Sequence, residues 1–107
     1  MRLAIISSDG VNVDLHLGKA KSVYIYDYED DEVKFIEKRD INIDDDSKHQ
    51  GNIVIKACSD CNVLISVKYG FKTKVLADEV GVKLVMDEGT IDEVLQRYID
   101  HYNFMHN

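Results

Sequence analysis

Residues 5–26 have the sequence IISSDGVNVDLHLGKAKSVYIY, and this stretch decides the arrangement of the chain. An apolar run that begins at Leu3 ends abruptly at the polar turn Ser-Ser-Asp-Gly, and the loop that follows carries His16 just before Gly18. The alternating segment from Val23 predicts a second strand, because successive side chains of a strand point to opposite faces. Loops at strand ends often carry functional groups, so His16 is a candidate ligand. The plainer alternative is an ordinary polar loop residue.

The hydrophobic pattern of the remaining chain predicts three helices and a mixed sheet. We expect a sheet of order 3-2-1-4-5 with strand 2 antiparallel, because two short-linked strands form a hairpin and later strands alternate with helices. A capping box beginning at Ser47 marks the first helix, and another beginning at Thr90 marks the third. The tail from Asn103 to residue 107 is expected to fray. The predicted strands cover residues 2–8, 22–29, 33–39, 63–67 and 82–86; the helices cover about 48–59, 71–79 and the residues from 91 onward.

Length and composition limit the classes of protein that this chain can represent. With 107 residues, 45% of them hydrophobic, residues 1–107 are expected to form one domain with a small core. We find no signal-peptide pattern and no apolar run of membrane-spanning length, so we expect a soluble cytoplasmic protein that does not bind membranes. The net charge of −7 argues against nucleic-acid binding, because acidic proteins repel phosphate backbones.

A candidate binding site follows from the predicted sheet. Strands 1, 4 and 5 are expected to be parallel, so the loops after them share the carboxyl edge, where ligands usually bind. The N-terminus of the second helix and nearby lysines favour an anion there, although solvated lysines are the plainer alternative for each one. The loops carry His16, Gly18, Lys19, Lys68, Tyr69, Gly70 and residues 87–89, and Lys21 and Lys72 lie near them in the sequence.

Two cysteines form a C-x-x-C pair at Cys58 and Cys61. Such a pair can serve as a redox dithiol or as half of a metal site, but structural metal sites normally need four ligands. The pair lies at the end of the first helix, whereas reactive pairs lie at a helix N-terminus, where thiolates are stabilised. Buried core cysteines are the favoured alternative. Cys61 and His49 are retained as additional candidate metal ligands beside His16.

The sequence contains none of the familiar enzyme motifs for a nucleophilic serine, a phosphate-binding loop, a dinucleotide or a zinc protease. The strand order suggests a ribonuclease H-like sheet and therefore a nuclease, whose two-metal chemistry requires several convergent carboxylates. Asp9 follows strand 1, but Lys68 occupies the position after strand 4 where a carboxylate is needed. We therefore expect a protein that is not an enzyme.

The opening motif resembles that of a known family. The pattern D-G-x-x-V-x-x-H-x-G-x-A-x-x-x-x-I-Y corresponds here to Asp9, Gly10, Val13, His16, Gly18, Ala20, Ile25 and Tyr26. It resembles the dinitrogenase iron–molybdenum cofactor biosynthesis family, of the NifX, NafY and NifB carboxy-terminal domain type. The resemblance continues through residues 61–65, 77–82 and 88–95 and so covers essentially the whole chain.

This resemblance implies an α/β, ribonuclease H-like fold and a non-enzymatic carrier of an iron–sulfur or iron–molybdenum type cluster. It implies that His16 is the cluster ligand, that the lysines attract the anionic cluster, and that metallocluster assembly or recipient proteins are the partners. We expect a monomer or weak homodimer. The chain departs from the family pattern at Leu17, where relatives have an aromatic residue, and at residues 67–71, which are often richer in glycine.

Two alternatives to the carrier come from other functional classes. A regulatory or scaffold module would use the same sheet edge for a small anion or a protein partner without a cluster. A dithiol redox protein would require Cys58 and Cys61 to be accessible.

Overall fold

The computed structural model describes residues 1–41 and 50–106. The predicted cap at Ser47 and the candidate ligand His49 lie outside these described residues. The strands are β1 (Arg2–Ile6), β2 (Asn12–Val13), β3 (Ser22–Glu29), β4 (Glu32–Asp40), β5 (Val63–Ser66), β6 (Lys83–Met86) and β7 (Gly89–Thr90); the helices are α1 (Gln50–Ala57), α2 (Phe71–Val80) and α3 (Ile91–His106), with a 3-10 turn at Leu17–Lys19.

Five strands form one mixed sheet of order β4-β3-β1-β5-β6. The central strand β1 is antiparallel to β3 and parallel to β5, which is in turn parallel to β6. The hairpin of β3 and β4 turns at Asp30 and Asp31, whose φ angles of 52° and 63° lie in the left-handed region that aspartate tolerates better than most residues. Predicted strands 1 to 5 correspond to β1, β3, β4, β5 and β6, because the short strands β2 and β7 were not predicted. The observed order is therefore the predicted order 3-2-1-4-5, and the predicted strand directions are confirmed.

The two faces of the sheet carry separate hydrophobic cores. Along β1, Ala4 and Ile6 pack into the core on the side of α1 and α2, whereas Leu3 and Ile5 pack into the core under α3. All four side chains are fully buried, which is expected of a central strand covered on both faces. The period-2 alternation of the sequence thus determines which helix each strand residue meets.

The structure differs from the sequence prediction at the end of β1 and in two additional short strands, β2 and β7. Strand β1 ends at Ile6 because Ser7 leaves the ladder and its Oγ accepts a hydrogen bond from the Gly10 amide at 3.0 Å. The loop after β1 and the loop before α3 each contribute two residues to an unpredicted sheet of β2 and β7, which are too short to leave a hydrophobic pattern.

Helix α3 continues to His106, although fraying was predicted from Asn103. Two contacts hold the last turns: the Asn103 Nδ2 donates to the Tyr28 hydroxyl at 3.2 Å, and the His106 ring stacks on Tyr102 with 4.1 Å between centroids. The long-range contact to β3 could not be inferred from local sequence. The predicted N-cap is present, because the Thr90 Oγ1 accepts from the Glu93 amide at 3.1 Å.

Candidate functional site

The loop carrying His16 is held against the segment that follows β5. The Val67 amide donates to the Leu15 carbonyl at 3.0 Å, and the Leu17 amide donates to the Lys68 carbonyl at 2.9 Å. Leu17 is fully buried in the core, and His16, one position earlier, is exposed. The backbone pairing and the buried leucine therefore fix an imidazole at the carboxyl edge of the sheet, pointing away from the core.

The Asp-Gly step of the opening motif organises the start of this loop. The Asp9 carboxylate accepts hydrogen bonds from the Asn12 and Val11 amides, both at 2.9 Å, and these bonds lower the pKa of Asp9 to about 2. Gly10 has a φ of 77°, and a Cβ there would lie 3.0 Å from the Tyr24 ring. Asp9 and Gly10 thus stabilise a turn, and the carboxylate of Asp9 accepts hydrogen bonds from backbone amides within that turn.

An open cleft of about 310 Å³ lies at this edge, and His16 forms part of its wall. All six residues predicted to bind the ligand line the cleft: His16, Gly18, Lys19, Lys68, Tyr69 and Gly70. Three further lining residues, Gln50, Gly51 and Thr73, were missed. They belong to α1 and α2, and the sequence does not show how closely these two helices pack against each other.

The wall of the cleft formed by Gln50, Gly51 and Thr73 exists because α1 and α2 make close contact at Gly51. A Cβ at this position would overlap the Oγ1 of Thr73 on α2. Only glycine therefore allows this approach without a shift of Thr73. An isolated glycine in a helical pattern was the available sequence signal, since such a residue usually has a packing or functional reason.

The cleft is locally basic on a chain whose net charge is −7. Lys19 and Lys68 line it, and none of the described lining residues is a carboxylate. Helix α2 begins beside it at Gly70, which provides no side-chain cap for the first-turn amides, so their partial positive charge faces the same region. Lys21 and Lys72, also predicted to surround the site, are exposed and do not line the cleft.

The C-x-x-C pair lies elsewhere. Cys58 is fully buried and Cys61 is 4% exposed, so the expectation of core cysteines is confirmed. A hydrogen bond with the Cys61 thiol and burial together raise the pKa of Cys58, which opposes formation of a reactive thiolate. Cys61 precedes β5, whereas Lys68 follows it, and Cys61 is not among the residues that line the cleft. Its role as an additional ligand beside His16 stays a prediction.

The loop after β6 also does not line the cleft. Arg97 of α3 binds the Asp87 carboxylate through two hydrogen bonds of 2.9 and 3.0 Å, and this contact lowers the pKa of Asp87. Gly89 pairs with Val13 in the small sheet of β2 and β7. The sequence could place this loop at the correct edge of the sheet but could not show that α3 holds it away from His16.

The described wall of the cleft offers few donors for a metal. Across residues 1–41 and 50–106, no three His, Cys, Asp or Glu side chains come together as a metal-binding group. Within the described wall of the cleft, His16 is the single imidazole, and no thiol or carboxylate accompanies it. One such donor beside lysines and helix amides can hold an anionic cluster that brings its remaining ligands with it, but it does not form a closed metal site.

The sequence profile of a protein family described as dinitrogenase iron-molybdenum cofactor matches residues 1–101. The chain belongs to this family. The recognition made from the opening motif is thereby confirmed, and the family connects the chain to the biosynthesis and binding of that cofactor. No curated protein matches the sequence.

Solved structures show the same fold. The protein PH0822 is 20% identical with a TM-score of 0.79, and the match covers 94% of this chain and 92% of that one. The apo form of the orange protein from Desulfovibrio gigas is 23% identical with a TM-score of 0.75, covering 94% and 88%. The protein mj0327 of Methanocaldococcus jannaschii is 17% identical with a TM-score of 0.68, covering 94% and 89%. At these identities the likeness concerns the fold.

None of the helices that the structure describes has the length and apolar character needed to cross a bilayer.

Proposed function

We propose that this protein is a non-enzymatic carrier that binds an iron–sulfur or iron–molybdenum type cluster in the cleft and delivers it during metallocluster assembly. The observation that supports this most directly is that His16, Lys19 and Lys68 line the same cleft, with no carboxylate among the described lining residues. Imidazole is a good ligand for iron, and ammonium groups attract an anionic cluster. A single protein ligand keeps the complex exchangeable, as a carrier requires.

The glycines of the cleft provide independent support. Gly18 and Gly70 line it, and neither has a φ in the left-handed region. Within residues 1–41 and 50–106, and apart from each glycine and its two chain neighbours, no atom lies within 4 Å of where their Cβ would stand. Local backbone geometry therefore does not require glycine at these positions, and an alanine would fit. A bulky ligand that contacts the backbone does require glycine there, since any side chain would occupy its space.

We expect Gly18→Ala and Gly70→Ala to fold normally, with stability changed by less than about 1 kcal/mol, because alanine fits and reduces the entropy of the unfolded chain. Both variants should retain less cluster than the parent protein. The measurements are thermal unfolding and visible absorption after anaerobic incubation and gel filtration. Parent-like loading by both would show that no ligand approaches the backbone at these glycines.

The experiment that tests the proposal is anaerobic loading with a [4Fe–4S] cluster and, separately, with extracted iron–molybdenum cofactor. The variant Lys19→Ala with Lys68→Ala should bind either cluster at least about tenfold more weakly, because it removes two positive charges from the cleft. The matched control is Lys34→Ala with Lys38→Ala, which removes the same charge from exposed positions of β4. The control should bind as the parent does.

Failure of the unmodified protein to retain either cluster would overturn the carrier function. Thermal stabilisation by inorganic phosphate in that case, lost in the Lys19 and Lys68 double variant, would instead support the alternative of a module that binds a small anion. The two readouts separate the functions because the first requires a metal–ligand bond and the second requires only charge.

A further inference from the structure

Strand β6 has a free edge. It pairs with β5 on one side, and among residues 1–41 and 50–106 no strand pairs with its other side. The Lys83 amide donates to Asn62 and the Asp87 amide to Ser66, so the odd-numbered positions point toward β5. Since alternate residues of a strand point their backbone groups to opposite sides, the N–H and C=O groups of Leu84 and Met86 face outward without a strand partner.

The opposite edge of the sheet carries more of the features that prevent strand addition than β6 does. Strand β4 carries six charged residues among its nine, and a register irregularity interrupts its pairing with β3 between Ile25 and Tyr26. Charges and irregular edges are the usual devices that prevent strand addition. Strand β6 has one charged residue, Lys83, and its last residue Met86 is 57% exposed.

The side chains of β6 are complementary to a second copy of themselves. If two copies pair antiparallel about Val85, Leu84 of each lies opposite Met86 of the other, so the outward backbone groups bond to one another. The same register places Lys83 opposite Asp87 of the second copy, whose carboxylate also binds Arg97 of its own chain. Lys83, Val85 and Asp87 line one groove of about 320 Å³ beside α3, so this charge pair and the Val85 contact would lie on the same face.

We infer that the free edge of β6 is a homodimer interface, in which two chains pair antiparallel about Val85 and join their sheets into one of ten strands. The inference is independent of the proposed function. Exchange of backbone hydrogen bonds, contact of Met86 with Leu84, and the Lys83–Asp87 pair provide the attraction. A short strand buries less than the roughly 800 Å² per partner of standard interfaces, so the dimer should be weak, with a Kd between about 10 µM and 1 mM.

Sedimentation equilibrium of the full chain, up to about 1 mM, should show a reversible monomer–dimer equilibrium. Met86→Pro should abolish the dimer, because the Met86 N–H faces outward and its loss removes no bond to β5. Lys83→Glu should weaken the dimer at least about tenfold, because it places two acidic groups opposite each other. Lys34→Glu makes the same charge change on β4 and should leave the dimer unchanged. Thermal unfolding at low concentration verifies that each variant is folded.

Amide hydrogen exchange identifies the edge directly. As concentration rises, the Leu84 and Met86 amides should become protected, whereas the Val85 amide, which faces β5, should be protected at every concentration. A protein that stays monomeric at about 1 mM overturns the inference. So does a dimer that persists in folded Met86→Pro and Lys83→Glu, because the contact would then lie on another surface.

Discussion

We expect the His16→Ala variant to lose cluster retention, with binding weakened by at least about a hundredfold, because it removes the single imidazole from the described wall of the cleft. Loss of groups that merely orient a metal ligand costs about 10–100-fold, and loss of the ligand itself should cost no less. The fold should be unaffected, since the His16 side chain is exposed and the loop is held by the backbone and by Leu17. The measurement is visible absorption after anaerobic loading and gel filtration.

Two further variants test whether His16 acts as a metal ligand or only through the charge or size of its side chain. His16→Cys supplies a thiolate in place of the imidazole, so it should retain cluster with a shifted charge-transfer band. His101→Ala removes an exposed histidine from α3, outside the cleft, and should load as the parent protein does. Undiminished loading of His16→Ala, with the parent spectrum, would show that the imidazole is not a ligand and would remove the main support for the carrier function.

Leu17→Ala should produce a large loss of stability, about 2–5 kcal/mol, because it opens a cavity at a fully buried leucine. For a chain of this size the melting temperature should fall by roughly 10 °C or more. Leu17 also begins the 3-10 turn beside His16 and packs into the core shared with α1 and α2. Cluster binding should therefore weaken as well, even at temperatures where the variant is fully folded.

Leu3→Ala is the matched control for the expected loss of cluster binding in Leu17→Ala. Leu3 is also a fully buried leucine, but it lies in the other core, under α3. It should destabilise the chain by a similar amount and leave cluster binding unchanged below its melting temperature. Leu17→Met keeps the side-chain volume and should cost less than about 1.5 kcal/mol. Equal losses of binding in Leu3→Ala and Leu17→Ala would mean that general destabilisation, and not the position of His16, reduces binding.

The sheet could be predicted because its determinants are local or nearly so. Alternation along residues 22–29 marks a strand with two faces, and the first three residues of β5, Val63–Ile65, are apolar because helices cover both sides of this buried strand. The right-handed crossover rule then leaves few strand orders to consider. The pairing of β2 with β7 could not be predicted, because each strand has two residues and the partners are far apart in sequence.

The candidate site was predictable on one side only. The loops after β1 and β5 reach the same edge by topology, so six of the lining residues follow from sequence and strand order. The opposite wall depends on the distance between α1 and α2, which is set by the absence of a side chain at Gly51. The position of Cys61 could not be decided by spacing, because the same C-x-x-C pattern suits a ligand and a core residue.

The sequence by itself determined the order of the strands, the core to which each strand residue contributes, and the edge at which His16 lies, because all three depend on period and connectivity. Only the tertiary structure decided which groups at that edge meet. Helix packing brings Thr73 and Gln50 to the cleft, Arg97 holds Asp87 away from it, and the two cysteines are buried and do not line it. These outcomes depend on contacts between side chains distant in sequence, which no local pattern specifies.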